Sequence, residues 1–82
     1  MAGRSQEPKF EIINQIGIIS IYASGWNVEL NRVSWNGNEP KYDVRLWSPD
    51  HTKMGKGITL SKEELIALSK LLTKEVEFLK ED

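Results

Sequence analysis

At Leu60 the chain changes its periodicity, and that switch limits the available folds more than any other feature. Upstream, from Phe10, runs of β-branched and aromatic residues alternate with clusters of Gly, Asn and Pro. Downstream, from Ser61 to Asp82, neither Gly nor Pro interrupts the chain. Ser61 followed three residues later by Glu64 is a capping box. The hydroxyl accepts from a free N–H of the first turn, the glutamate returns to the serine amide, and Glu63 and Glu64 suit the positive helix end. A single helix therefore starts at Ser61.

The upstream runs read as strands. "FEIINQIGIISIYA" is too rich in isoleucine for a good helix and forms a long first strand, bent or bulged at Gly17, that ends at the turn pair Ser24–Gly25. "WNVELNRVSW" is the second, closed by "NGNEP", where Asn36–Gly37 is a strong turn signal. "KYDVRLW" is the third, "SPDHTKMGKG" a loop and "ITL" a short fourth. Strands joined in this order by short turns form an antiparallel sheet, so the fold class is α+β: a four-stranded antiparallel sheet followed by one C-terminal helix, ββββα.

The polar residues 1–8, with Pro8, read as a flexible leader, and residues 9–82 as a single domain. At 82 residues such a domain is marginally stable alone, and a chain without cysteine has no disulfide or thiolate metal site to help it. The absence of cysteine points to a reducing, cytoplasmic home. No stretch approaches the roughly 20 apolar residues of a membrane span. In the helix, Leu65, Leu68, Leu72, Val76 and Leu79 make one stripe, which Leu71 and Phe78 widen to an arc of roughly 160°, with Ile66 outside it. One sheet contact does not need so wide a face, so the spare flank is expected to meet the helix of a second copy in a homodimer.

Catalysis has little to work with. His51 is the one histidine, in a Pro-Asp-His-Thr loop where a solvated side chain is expected, and it is the only base available to the hydroxyls of Ser34, Ser48 and Thr59. Neither a metal cage nor a Cys–His pair can be assembled, and the glycines near lysines lack the spacing of a phosphate-binding loop. The chain is expected to be no enzyme and to need no cofactor, metal or small-molecule substrate.

The net charge of −1 conceals a segregation. Between Asn31 and Gly57 five cations (Arg32, Lys41, Arg45, Lys53, Lys56) meet three anions, whereas from Ser61 onward six acids face four lysines. Strand alternation puts Tyr42, Val44 and Leu46 on one face, expected to lie under the helix with Val28 and Leu30. Lys41, Asp43, Arg45 and Trp47 then point away from the core, with Asp43 placed to hold Arg45, and Asn27, Glu29, Asn31, Val33 and Trp35 share that face. Arg32 falls on the opposite face unless a bulge or strand end redirects it. Trp26, in phase with Val28 and Leu30, is a core or dimer tryptophan. Rings interleaved with cations can stack unpaired bases and neutralise phosphates, whereas duplex bases have no free face to offer. The alternative is a protein-interaction surface whose tryptophans are hot spots.

"YDVRLW", the Pro-Asp turn, "KGITL" and the capped helix together resemble the C-terminal domain of the transcriptional positive cofactor four family of single-stranded-DNA-binding coactivators. From "KFEII" through "WSPDHTKMGKGITLS" the chain is similar to its small bacterial, YdbC-like branch. The resemblance implies a homodimer of ββββα protomers whose curved sheets hold single-stranded DNA largely irrespective of sequence, in transcription, replication or repair, with single-stranded RNA as a second candidate. By matching motifs it places Trp35, Arg45, Trp47 and Lys56 in the nucleic-acid site. Lys41 and Lys53 match by region, and Arg32 completes the candidate set. The serine-rich acidic tail of the eukaryotic coactivators is absent.

Overall fold

The computed structural model describes residues 9–81; the leader assigned to residues 1–8 lies outside them, as does Asp82. Strands β1 (Phe10–Ile21), β2 (Asn27–Trp35), β3 (Lys41–Trp47) and β4 (Met54–Leu60) form one antiparallel sheet in the order β1-β2-β3-β4, and helix α1 (Lys62–Lys80) follows. The expected ββββα architecture is the observed one.

The turns form where the residue chemistry permits them. Asn36 and Gly37 both adopt positive φ (55° and 77°), and Asn38 N–H closes on Trp35 O at 2.9 Å, the backbone twist that a tight hairpin requires. The Asn36 side chain also accepts from Lys9 N–H at 3.0 Å, and its own amide donates to Lys9 O at 2.7 Å, tying this turn to the start of β1. At the helix start Ser61 Oγ accepts from Glu64 N–H at 3.1 Å, and Glu64 Oε1 accepts from Ser61 N–H at 2.8 Å. These hydrogen bonds from Ser61, its backbone N–H foremost, hold the Glu64 carboxyl below the usual glutamate value.

β1 spends twelve residues against the nine of β2 because its register slips three times, between Ile12 and Asn14, Gln15 and Gly17, and Ile18 and Ser20. One slip adjoins Gly17, where a bulge was expected; the other two involve no glycine. Each bulge adds bend and twist. The strand β4 begins at Met54 rather than at Ile58, so part of the expected loop is strand. Glycine weakens the strand signal of "MGKG", yet the backbone of Met54 pairs with Trp47 and that of Gly57 with Arg45, around a register shift.

The sheet curls tightly. Trp35 stands at one end of β2, while Trp47 pairs with Asn27 at the other. A flat ladder would separate these ends by roughly 25 Å. Phe10 nevertheless lies against both rings, with centroids at 6.0 Å from Trp35 and 5.1 Å from Trp47. Curling makes the face that carries Asp43, Arg45 and Trp47 the inside, contrary to the expectation that it points away from the core. Glu29, Asn31, Val33, Asp43 and Trp47 are buried there without a second layer above them. The face expected to be the core, with Val28, Leu30, Tyr42, Val44 and Leu46, is only half-buried.

The helix does not cover that face. It meets only β3 and β4, and it has no buried residue. Leu65 and Leu68 are half-buried, but Leu72, Val76 and Leu79 of the expected core stripe stand exposed beside Leu71 and Phe78. The chain is accordingly elongated, 58 Å long and 19 Å thick.

Candidate nucleic-acid interface

The inner face is organised around one charge-assisted fork. Arg45 Nε and a terminal nitrogen donate to the two oxygens of Asp43, each at 3.0 Å, and the other terminal nitrogen reaches Gly55 O at 3.3 Å. Thr59 Oγ1 donates to Asp43 at 2.9 Å. The carboxylate is fully buried (0%), and the guanidinium keeps 16% exposure, 5.1 Å above the Trp35 ring. Such a bidentate geometry fixes the guanidinium plane and leaves its remaining N–H groups for another acceptor. Gly57, paired with Arg45 across the ladder, makes room for it: a Cβ there would come within 2.6 Å of Arg45 Cβ and 2.7 Å of its Cγ.

Beside the fork, residues 48–53 connect β3 to β4 and fold back over Trp47. Asp50 Oδ1 accepts from Thr52 Oγ1 at 2.7 Å, Thr52 N–H at 3.1 Å and Ser48 Oγ at 3.0 Å. Hydrogen bonds from the Thr52 side chain and backbone, then from Ser48, pull the Asp50 carboxyl down to about 2. The bracing holds His51 at a left-handed φ of 60°, uncommon outside glycine. His51 is therefore not the solvated loop histidine expected. Its ring lies 5.6 Å from that of Trp47, and Nε2 is 2.9 and 3.0 Å from the Glu29 oxygens. Asn31 Nδ2 also donates to Glu29 at 3.0 Å. Burial works to raise the Glu29 carboxyl, but the bonds from Asn31 and His51, the His51 charge and Asn27 hold it below the usual value.

The candidate residues divide. Arg45 and Trp35 stand together inside the curl. Lys41 is exposed at the start of β3 and, with Trp35, Asn38, Glu39 and Thr59, lines a cavity of about 290 Å³. Lys53 is exposed at the end of the connecting loop. Lys56, also exposed, borders a depression it shares with Val28, Val44 and Leu46 of the opposite face. Trp47 is not presented outward: it is 0% exposed beneath Phe10 and His51, because curling closes the face over it. Arg32 stays on the opposite face, since the β2–β3 register is unbroken and the bulges fall on β1; it reaches Asn14 Oδ1 at 3.4 Å. Trp26 is half-buried just before β2.

Phe10, Glu29, Asn31, His51 and Gly57 also shape the site. Sequence alternation placed Glu29 and Asn31 on the right face, but nothing in the sequence marked His51 as the partner of Glu29, twenty-two residues away. The hydroxyls considered as nucleophiles serve the scaffold instead: Ser34 donates to Asn38 O at 2.6 Å, Ser48 to Asp50 and Thr59 to Asp43.

The fold is thus a curled ββββα sheet that holds an arginine over the Trp35 ring, with exposed lysines near it. Residues 22–71 match the family described as Transcriptional Coactivator p15 (PC4), and the chain belongs to that family of nucleic-acid-binding transcriptional coactivators. It is also similar to an uncharacterised protein of Treponema pallidum (strain Nichols), 49% identical over 63 residues that cover 77% of this chain and 74% of the relative. Among the described residues no helix is long and apolar enough to cross a membrane.

Proposed function

We propose that this protein is a cytoplasmic homodimer that binds single-stranded DNA, largely irrespective of sequence, along the inner faces of its sheets, and carries out no chemical step. The observation that carries the reading is the Arg45–Asp43 fork held over Trp35, with Lys41 beside it and Lys53 on the adjacent loop. Arg45, Lys41 and Lys53 meet phosphates along the inner face, and Lys56, which borders the opposite face, stands apart from them. The Trp35 ring offers the aromatic surface, and its buried Nε1, which has no partner among the described residues, is a donor beside the Lys41 cavity. Trp47 contributes as the packed floor beneath. Transcription, replication and repair all supply such single strands.

Dimerisation is supported by the helix. Leu71 (63% exposed), Phe78 (61%), Leu72, Val76 and Leu79 form a long apolar surface that one protomer leaves in water, more than a monomeric protein usually tolerates. A second helix of the same kind satisfies it. The alternative of a protein-binding hot spot on the inner face finds less support, because its rings pack on one another and on Arg45.

The test is a titration of fluorescent oligo(dT), oligo(rU) and a duplex of equal length at several salt concentrations. Single strands are expected to bind and the duplex to bind weakly. The logarithm of affinity should fall against log salt with a slope of about −0.7 for each phosphate contacted. Equal binding of duplex, or affinity indifferent to salt, would refute the reading. The oligo(rU) arm decides how far RNA shares the site.

A further inference from the structure

Away from the fork, on the same inner face, a second pocket has the opposite character. It measures about 250 Å³ and is lined by Gln15, Gly17, Ile18, Asn27, Glu29, Asn31 and His51, with no lysine or arginine among them. Clefts for drug-sized ligands run about 300–1,000 Å³, so this one suits a single planar heterocycle. A surface that only neutralises phosphates has no use for a buried carboxylate flanked by a buried and a half-buried amide. Their hydrogen bonding shows what is missing. Glu29 is a pure acceptor, and it draws the Asn31 NH₂ toward itself at 3.0 Å. The carboxylate thereby settles which way the Asn31 amide points, and Asn31 Oδ1 is left without a partner among the described residues, on a side chain only 1% exposed. Asn27 Oδ1, on the other side of Glu29, has no partner among the described residues either. Leaving buried acceptors unpaired is costly, so the pocket favours a ligand that brings N–H donors. Gln15, the exposed cross-strand neighbour of Asn31, is the side chain that must turn aside to admit one.

We propose that this pocket is a base-reading subsite within the single-strand interface, and that it takes a nucleobase with an exocyclic amino group, guanine best of all. The inference rests on the interface reading above. Guanine alone carries adjacent imino and amino donors, N1–H and N2–H₂, which fit the neighbouring acceptors Glu29 and Asn31 Oδ1 as a fork. Cytosine and adenine bring an amino group only, and thymine brings one imino N–H between two carbonyls that would face acceptors. Phosphate contacts still supply most of the affinity; the pocket sets a preference for which base occupies one position along the strand.

The experiment compares oligo(dT) with strands of the same length in which isolated thymidines are replaced by dG or by deoxyinosine, which keeps N1–H and lacks the amino group. The dG strand is expected to bind on the order of tenfold tighter than oligo(dT), and the inosine strand to lose most of that gain. Asn31→Ala should bring the dG and dT affinities together. Equal affinity of all three strands for the unmodified protein overturns the subsite while leaving the interface intact. A dG preference that inosine retains overturns it as well, and that arm needs no variant. Failure of every strand to bind removes the interface reading itself, and the subsite with it.

Discussion

The inner face of the sheet and the apolar face of the helix handle exposure in opposite ways. The inner face is polar, with Glu29, Asn31, Asp43, Arg45 and His51, yet it is largely closed, because its charged groups bind one another. The helix stripe is apolar, with Leu71, Leu72, Val76, Phe78 and Leu79, yet it is open. Hydrophobicity alone would assign the two surfaces the other way round. Polar groups can form an interior when the chain supplies most of their partners, as Arg45 and Thr59 do for Asp43. Apolar groups remain outside when the geometry, here a helix that meets only β3 and β4, leaves nothing to cover them.

The comparison can be broken most forcefully at the helix. If Phe78 and Leu72 are covered by a second copy, Phe78→Asp or Leu72→Asp should cost roughly 2–3 kcal/mol per protomer, counted twice across a twofold interface. Light scattering should then report half the parent mass, with a lowered Tm. A parent protein already monomeric at micromolar concentration would sink the expectation. At the fork, Arg45→Ala leaves a fully buried carboxylate without its cation. Removing one partner of such a pair costs about 3 kcal/mol or more, read as a shift of the urea midpoint, and oligo(dT) affinity should fall with it. Arg45→Lys restores the charge but not the two-pronged geometry and should recover only part of either loss. Unchanged binding in a folded Arg45→Ala protein would move the interface elsewhere.

The smallest effect is a titration. Asp50 has its carboxyl lowered from 3.8 to about 2 by hydrogen bonds made only when residues 48–53 are folded. A depressed carboxyl stabilises the folded loop fully above its ordinary value and loses that stabilisation as pH falls through the folded one. The protection factor of the Thr52 amide, its exchange rate taken relative to the intrinsic rate at each pH, should thus hold near pH 5 and fall as pH drops from about 4 towards 2, as NMR would follow. Titration of Asp50 close to 3.8 would show that the loop is not braced as described.

How much of this was readable in advance depends on which physical term decides each feature. The helix start, the Asn36–Gly37 turn and the β2–β3 pairing depend on local chemistry, and all three appear where the residues indicate. Arg32 on the opposite face follows from alternation alone. Alternation defines two faces without saying which way the sheet curls, so Trp47 and Asp43 read as outward although they are inside. The curl depends on β1, where the extra residue at each slip is an isoleucine (Ile13, Ile16, Ile19) in a run of isoleucines, and only Gly17 signals a slip in advance. The early start of β4 was hidden for a related reason. Gly57 reads as a loop residue, but it is glycine because the Arg45 side chain occupies the space of its Cβ.

The irregularity of β1 has a further effect. A segment such as Ile12–Ile21, without a single charged residue and rich in isoleucine, has the composition that stacks into cross-β fibrils when it is presented as a straight, unpaired edge. β1 is an edge strand, but its three slips interrupt the even row of N–H and C=O groups that another chain would need as a template. The same bends that curl the sheet around its arginine also make the first strand a poor seed for aggregation.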